Sequence, residues 1–177
     1  MPVIAITGTP GVGKSSLSAE LRRRGYEVVD VNEHLRKHGL LGEKDTARDT
    51  YNVDMEAFND SLDEYREEGR TVFLDSHLSH QVDCSHIIVL RCEPRVLADR
   101  LRARGYSDRK VLENVQAEVL DVILCESTET DIPVSEIDCT DNTPAEAADD
   151  VEMIIKGESG LFRPGSIDWS SEMEEWF

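Results

Sequence analysis

The residues with the clearest chemical potential form a glycine-rich loop near the start of the sequence. Residues 8–15 read Gly-Thr-Pro-Gly-Val-Gly-Lys-Ser, the pattern G-x-x-x-x-G-K-[ST], between an apolar run at 3–6 and a helical pattern from Ser16. Glycines let backbone N–H groups turn inward around a phosphate, and the following helix adds its positive dipole end. Lys14 can reach the β- and γ-phosphates and Ser15 can bind Mg²⁺, so the loop predicts a nucleoside triphosphate site.

Two further side chains with catalytic potential follow the third apolar run of the sequence. The run at 71–74 ends in Asp75, and P-loop enzymes use an acid at this position to hold Mg²⁺, directly or through water. We expect His77, two residues on, to face the phosphate loop, where it can orient an attacking water or contact the γ-phosphate. A surface imidazole without a function is the alternative. The spacing of His77, His80 and His86 matches no zinc template, so we predict no histidine-built metal site.

Three arginines are candidates for neutralising phosphate charge. Arg36 falls on a short helix after the second predicted strand, whereas Arg100 and Arg104 lie four residues apart on one helix face. Phosphoryl transfer depends mainly on positioning and on charge neutralisation, so a kinase that holds roughly four or five phosphates needs several arginines. An exposed helix that carries arginines for solubility and ion pairing is an equally good explanation for Arg100 and Arg104.

Strand and helix patterns alternate along the chain and predict the elements that position these groups. Apolar runs predict five strands, at 3–6, 27–31, 71–75, 86–91 and 134–138. We therefore predict a three-layer α/β fold of the P-loop NTPase type, with a five-stranded, mostly parallel sheet and helices on both faces. Ligands of such a sheet bind beyond the C-terminal ends of the strands, where the loop, Asp30, Asp75 and Arg91 fall.

Capping residues set the expected limits of several helices. Asn32 is expected to cap a short helix over 33–38. Longer helices are expected over 54–68 and, beginning at Ser107 or Asp108, to about residue 128. The polar stretch 40–53 is expected to be irregular.

The bulk composition limits the classes of partner. The 177 residues are 39% hydrophobic and 32% charged, with a net charge of −18, which argues against direct nucleic acid binding and favours solubility or a basic partner. A lysine-poor, acidic chain is typical of a halophilic archaeon, and an ordinary acidic cytosolic protein is the alternative.

No apolar run approaches the roughly 20 residues of a membrane span, and the N-terminal run is interpreted as a strand rather than a signal peptide. Four cysteines without C-x-x-C spacing predict a reduced, cytoplasmic protein.

The last segment, 157–177, differs from the rest in composition and contains both tryptophans. We predict one domain over 1–156, followed by a partly ordered tail whose aromatic side chains pack on that domain. A docking segment for a partner is the alternative.

Three stretches together resemble a known family. The loop at 8–15, the triplet Asp75-Ser76-His77, and Arg104-Gly105-Tyr106-Ser107 with Asn114, Gln116 and Glu118 are similar to the atypical adenylate kinase of archaea and eukaryotic nuclei. The resemblance covers about residues 1–156 and implies an adenylate-kinase-like fold. It implies a broad-specificity nucleoside monophosphate kinase, which converts ATP and AMP reversibly to ADP and also hydrolyses ATP. It further implies late maturation of the small ribosomal subunit and its 16S-type rRNA, through transient binding of a ribosomal protein of the universal S-eleven type.

The resemblance also implies roles for individual residues. The ATP phosphates would be bound by Gly11, Gly13, Lys14, Ser15 and Ser16. Arg36 would hold the AMP phosphate within a monophosphate-binding region at about 30–53. Independently of the resemblance, the helix face that Arg100 shares with Arg104 makes Arg100 a second candidate substrate contact. Arg104 would contact ATP from a short lid at about 104–114, and His77 would assist ATP hydrolysis. The expected catalytic set is Lys14, Asp75 and His77, with Mg²⁺ held by Ser15 and Asp75.

Two departures from ordinary adenylate kinases and three rival functions follow. No arginine stands at 76–79, where those enzymes hold AMP, and the lid is much shorter. The main rival is an ATP-switched ribosome assembly factor whose kinase activity is incidental. A small-metabolite kinase on the same fold is a second rival. A GTPase is disfavoured because no Asn-Lys-x-Asp segment follows the fourth strand.

Overall fold

A parallel sheet forms the centre of the computed structural model, which describes residues 3–45, 50–66 and 69–177. Within these ranges the strands are β1 (Val3–Thr7), β2 (Glu27–Asp30), β3 (Leu41–Asp45), β4 (Thr50–Val53), β5 (Val72–Asp75), β6 (His86–Arg91) and β7 (Val134–Asp138). The sheet has the order β2-β5-β1-β6-β7, and each neighbouring pair is parallel. Strands β3 and β4 form a separate antiparallel hairpin.

Helices cover both faces of this sheet. They are α1 (Lys14–Arg23), α2 (Val31–Lys37), α3 (Met55–Ser61), α4 (Pro94–Ala103), α5 (Asp108–Val119), α6 (Val122–Thr128), α7 (Pro144–Ile155) and α8 (Met173–Trp176). Apolar side chains of α1, α4, α5 and α7 join Ile4 and Ile6 of β1 in the largest core cluster. On the opposite face, α2 and α3 pack near Val3, and α6 packs near Ala5.

Burial of both sheet faces explains why the central strands lack polar alternation. Every residue of β1 and β6 is buried, as expected for parallel strands between two helix layers. The predicted three-layer α/β fold with a five-stranded parallel sheet is confirmed.

The start of α2 differs from the prediction. Asp30, the last residue of β2, is the N-cap, and its carboxylate accepts a hydrogen bond of 3.0 Å from the backbone N–H of Glu33. The expectation that Asn32 caps this helix is therefore wrong. The reason is that β2 passes directly into α2, without the extra residue of strand that the sequence pattern indicated.

The segment between α2 and β5 is also organised differently. Helix α3 ends at Ser61 rather than near residue 68, and a 3₁₀ turn follows at 63–65. The Ser61 hydroxyl donates to the carbonyl of Phe58 at 2.6 Å, which is the competition with the backbone that weakens a helix end. The stretch 40–53, expected to be irregular, contains the hairpin of β3 and β4; residues 46–49 lie outside the described part of the chain.

The long helix expected over 107–128 is interrupted. Ser107 is its N-cap, which decides between the two predicted caps. The chain breaks at Asp121, which has a left-handed φ of 54° and separates α5 from α6. The Asp121 carboxylate is ion-paired with the buried guanidinium of Arg91, so the break places an acid where the sheet presents a buried cation.

The C-terminal tail, residues 157–177, packs on the domain, as predicted. Phe162 and Trp176 contact the largest core cluster. The backbone N–H of Glu136 in β7 donates to the carbonyl of Phe162 at 2.9 Å, and the Gln116 side chain donates to the carbonyl of Trp176 at 2.7 Å. In the described ranges no helix has both the length and the apolar character that a membrane span requires.

Candidate active site

The phosphate loop, residues 8–15, joins β1 to α1 and packs tightly on the neighbouring elements. Gly8 and Gly11 have φ values of 137° and 98°. A Cβ on Gly8 would lie 2.5 Å from the carbonyl oxygen of Leu90 in β6, and one on Gly11 would lie 2.9 Å from side-chain carbons of α4. These two positions therefore need glycine for two reasons, a left-handed backbone and a lack of space.

A Gly8→Ala substitution is expected to lower the free energy of unfolding by about 3 kcal/mol or more, because strain and overlap add. Gly25→Ala is a matched control, since Gly25 also has a positive φ, 93°, but a Cβ added there would meet no atom within 4 Å. We expect it to cost only about 1 kcal/mol. Urea unfolding measures both variants, and equal losses would show that close packing of the loop is unimportant.

Lys14 lies at the first turn of α1 and bends back over the loop. Its Nζ donates to the carbonyls of Gly8 at 2.6 Å and Thr9 at 3.1 Å. Burial lowers the pKa of Lys14 to about 8, and the nearby carboxylates of Asp75 and Glu118 oppose this shift. The N-cap of α1 is Gly13, which has no side chain to satisfy the helix N–H groups. An amine and unsatisfied N–H groups together favour an anion at this point.

The opposite wall is formed by the C-terminal ends of neighbouring strands. Asp75 and Asp30 are the last residues of β5 and β2 and are register partners. Burial raises the pKa of Asp75, and the charge of Lys14 acts against this shift. Burial, assisted by the charge of Lys14, lowers the pKa of His77. This shift favours the neutral imidazole, which offers one donor and one acceptor nitrogen.

These groups line one cleft with a volume of about 570 Å³. Predicted site residues that the structure brings together there are Gly11, Gly13, Lys14, Ser15, Asp75, His77 and Arg104. Ser15 and Asp75 supply a hydroxyl and a carboxylate, the oxygen ligands that suit Mg²⁺. This donor set fits the expected ion.

A second cavity of about 400 Å³ lies on the other side of the phosphate loop. It shares Gly11, Gly13 and Arg104 with the cleft, and it also includes Ser16 and Arg100. The guanidinium of Arg100 donates to three backbone carbonyls, those of Val12 at 3.2 Å, Cys139 at 2.9 Å and Thr140 at 2.8 Å. Arg100 thus joins the phosphate loop to the segment after β7.

Two predicted substrate-binding residues do not line the cleft. Arg36 is on an exposed face of α2, and the lining of neither cavity includes it. Arg100, expected to contact substrate, instead has its guanidinium against backbone carbonyls in the second cavity. Arg104 reaches the cleft with Asp75, whereas Arg100 and Arg104 both line the second cavity, so the shared phosphate target inferred from their spacing stays a prediction.

Four cleft residues were not among the predicted site residues, although they lie in the expected lid at 104–114. Lys110, Glu113 and Asn114 line the cleft from α5, and Tyr106 lines it from the preceding turn. The i, i+3, i+4 spacing of Lys110, Glu113 and Asn114 places these three on one helix face and was the available signal. The Lys110 ammonium lies 5.0 Å from the centre of the Tyr106 ring, so this pair closes the lid side of the cleft with a cation–π contact.

One group of side chains outside the cleft has the composition of a metal site. In the described ranges only His34, His38 and Glu64 qualify. The two imidazole rings are stacked with centroids 4.2 Å apart and an interplanar angle of 30°. One possible ligand atom from each of the three residues lies within 4.8 Å of the others. The Nε2 of His34 is, however, hydrogen-bonded to the Ser61 hydroxyl at 2.8 Å, and we interpret the histidine pair as packing.

Comparisons with known proteins identify the family. A family model described as an AAA domain matches residues 4–121. A "Putative adenylate kinase" of Methanocaldococcus jannaschii is 45% identical over 170 residues, which cover 96% of this chain and 93% of that protein. A protein with the same name in Archaeoglobus fulgidus is 43% identical over 176 residues, covering 98% and 94%. The chain belongs to this archaeal adenylate-kinase-like family.

The family match extends beyond the region that the sequence motifs covered. Because 98% of the chain aligns with the Archaeoglobus relative, most of the tail at 157–177 lies inside the matched region, not only residues 1–156. Among solved structures, shikimate kinase from Bacteroides thetaiotaomicron has a TM-score of 0.60 at 15% identity, covering 87% of this chain and 98% of that one. That likeness supports the fold alone.

Proposed function

We propose that this protein transfers the γ-phosphate of ATP to a nucleoside monophosphate, with AMP as the reference acceptor. The observation that carries the proposal is the single cleft in which Lys14, Asp75, His77 and Arg104 meet at the C-terminal edge of the sheet. The names of the archaeal relatives point to the same reaction.

The two cavities over the phosphate loop suit the two parts of ATP. The triphosphate lies along the loop, with Lys14 against the transferring group. The base lies in the second cavity, beside Arg100 and between Leu17, Ala147 and Pro144, which supply an apolar surface. Arg104 lines both cavities and is exposed, so it can close over the phosphates from the lid and exclude water.

Mg²⁺ and the acceptor complete the proposed site. Ser15 and Asp75 would hold Mg²⁺, which neutralises phosphate charge when bound. The acceptor enters beside Asp30 and Asn32, which line the cleft at the start of the region 30–53. Arg36, four residues further along α2, remains the proposed ligand of the acceptor phosphate and would have to move toward the cleft when the acceptor binds.

The test compares ADP formation from ATP and AMP together with ADP formation from ATP alone. We expect AMP to be consumed, with ADP formed far faster than hydrolysis alone can account for. CMP, UMP and GMP in place of AMP measure how broad the acceptor range is. If AMP is not consumed and adds no ADP above the ATP-only rate, the proposed kinase function is wrong.

ATP hydrolysis is a second candidate activity, and the position of His77 favours it. A short lid excludes water poorly, and a neutral imidazole in the cleft can orient the water that remains.

The His77→Ala variant is expected to lower ATP hydrolysis without AMP at least about tenfold, while Kd for ATP changes less than about twofold, because His77 acts on water rather than on the nucleotide. His38→Ala is the control, because His38 is exposed and caps the C-terminal end of α2. It should leave both the hydrolysis rate and the Kd for ATP unchanged. Phosphate release and calorimetric ATP binding measure them. Unchanged hydrolysis in His77→Ala would remove this role.

The family resemblance supports a further, cellular proposal. The protein would act in the cytoplasm on the maturing small ribosomal subunit, binding a basic ribosomal protein of the S-eleven type and releasing it on ATP hydrolysis. The net charge of −18 is complementary to a basic partner. A pull-down with and without ATP tests this, whereas the assay of ATP with AMP against ATP alone tests the rival in which the nucleotide cycle is only a switch. Recovery of no ribosomal protein in either condition would contradict it.

A further inference from the structure

A buried carboxylate holds the phosphate loop from behind. The hydroxyl of Thr9 donates to Oε2 of Glu118 in α5 at 2.6 Å, and both side chains are almost fully buried, at 3% and 2% exposed. The carbonyl of the same Thr9 accepts one of the hydrogen bonds from Lys14. The position of Glu118 is therefore linked through one residue to the lysine that faces the phosphates.

The other carboxylate oxygen of Glu118 is hydrogen-bonded to the C-terminal tail. Oε1 accepts hydrogen bonds from Arg91 at 2.8 Å, from the backbone N–H of Cys92 at 3.2 Å and from the indole Nε1 of Trp169 at 3.4 Å. Trp169 is thus the tail residue that contacts the carboxylate holding the loop.

Carboxylates outnumber cations in this group, and neutral donors of the tail satisfy part of the excess. Arg91, only 1% exposed, is ion-paired with Glu118, Glu136 and Asp121, so one guanidinium serves three carboxylates. Buried carboxylates are stable only when donors satisfy them. The tail supplies such donors, because Ser166 Oγ at 2.9 Å and the N–H of Ile167 at 2.8 Å also donate to Glu136.

We infer that the C-terminal tail is part of the nucleotide site, in which Trp169 and Glu118 act as positioning residues that fix the phosphate loop through Thr9. The inference rests on the proposed function only insofar as ATP binds to this loop. The inference concerns the binding of ATP, so the affinity for the acceptor AMP should not depend on these residues.

The test uses substitutions that keep shape and change hydrogen bonding. Thr9→Val removes the hydroxyl, Thr9→Ser keeps it, and Trp169→Phe removes only the indole donor and part of the ring. Trp176→Phe is the matched control in the same tail, because the Nε1 of Trp176 makes no hydrogen bond within the described residues. Kd for ATP is measured by calorimetry on folded protein, together with KM for ATP and AMP and the melting temperature.

We expect Thr9→Val to raise Kd and KM for ATP about tenfold, the size expected for a lost hydrogen bond to a charged group, with KM for AMP within about twofold. Thr9→Ser should restore ATP affinity to within about threefold. Trp169→Phe should raise Kd for ATP about threefold, and should add little in the Thr9→Val background, because the two residues act through one carboxylate. Trp176→Phe should leave ATP affinity unchanged.

A tail that only adds stability predicts a different outcome. The variants would then melt earlier, but the folded fraction would bind ATP as the parent does, and that result would overturn the inference. Additive effects of Thr9→Val and Trp169→Phe would overturn it as well. ATP binding is measured without an acceptor, so the two proposals can fail separately. A parent protein that binds ATP but does not phosphorylate AMP would contradict the kinase proposal. The inference about the tail would still be decided by the Kd values for ATP.

Discussion

Replacing Lys14 with methionine is expected to abolish phosphoryl transfer and to stabilise the ligand-free fold at pH 7. The activity should fall by about 10³-fold or more, because the ammonium is the group that neutralises the transferring phosphate at close range. The gain in stability follows from the pKa of Lys14, which burial lowers from 10.5 to about 8. A lowered pKa means that the folded protein disfavours the charge that Lys14 carries at neutral pH.

The pH dependence of the free energy of unfolding shows whether the charge of Lys14 stabilises or destabilises the fold. Below about pH 8 Lys14 is charged in both states, so the folded state carries the full cost of burying the ammonium. Between about pH 8 and 10.5 the folded state releases its proton first, and the parent protein gains stability. Methionine removes this cost of roughly 3 kcal/mol but also loses two hydrogen bonds to carbonyls, each worth about 1 kcal/mol, so a net gain of about 1 kcal/mol is expected at pH 7.

Unfolding in urea at pH 7 and pH 10 measures the effect, and a phosphotransfer assay measures the activity. Lys156→Met is the control, because it changes the net charge equally but removes an exposed lysine paired with Glu152 on the helix surface. That variant should keep its activity and change stability by less than about 0.5 kcal/mol. A Lys14→Met protein that is less stable than the parent at pH 7 would contradict the assignment of a buried, disfavoured charge.

The fold was accessible from sequence because its signals are local and agree with one another. The run His86–Arg91 is apolar in its middle without alternation, which is typical of a strand covered on both faces, and it forms the fully buried β6. The phosphate loop was recognisable because its glycine spacing stands between a strand and a helix. The boundaries were less accessible, as Asp30 and Asn32 are both good caps and only the length of β2 decides between them.

The missed parts of the site depend on contacts between distant parts of the chain. Thr9 and Glu118 are 109 residues apart, and nothing near either one indicates that they meet. Arg100 has the spacing of a phosphate ligand, yet its guanidinium is held by carbonyls of loops that only the folded sheet brings together. The helix break at Asp121 coincides with its ion pair to Arg91 in β6. The sequence around Asp121 gives no sign of this distant partner.

The Asp75→Asn variant is expected to lower kcat by about 10²- to 10³-fold at saturating ATP, whereas Asp30→Asn should stay within about threefold of the parent. Both carboxylates end neighbouring strands, are register partners and line the same cleft, but Asp30 is exposed on the edge strand and Asp75 is half-buried. The two carboxylates differ in the groups that they bind. Asp30 is engaged as the N-cap of α2, and asparagine caps a helix about as well as aspartate.

Asp75 is the candidate Mg²⁺ ligand, and an amide there loses the negative charge while it keeps the size of the side chain. The parent should also lose activity at acidic pH when Mg²⁺ is limiting, since a proton on Asp75 competes with the metal and has the same effect as the substitution. Asp75→Asn should lack this acid limb, and its activity should need a higher Mg²⁺ concentration. Measuring kcat against Mg²⁺ and pH for both variants separates the two acids. If Asp30→Asn fails as severely as Asp75→Asn, the cleft uses both carboxylates for the metal, and the assignment of Asp30 to the helix cap alone is wrong.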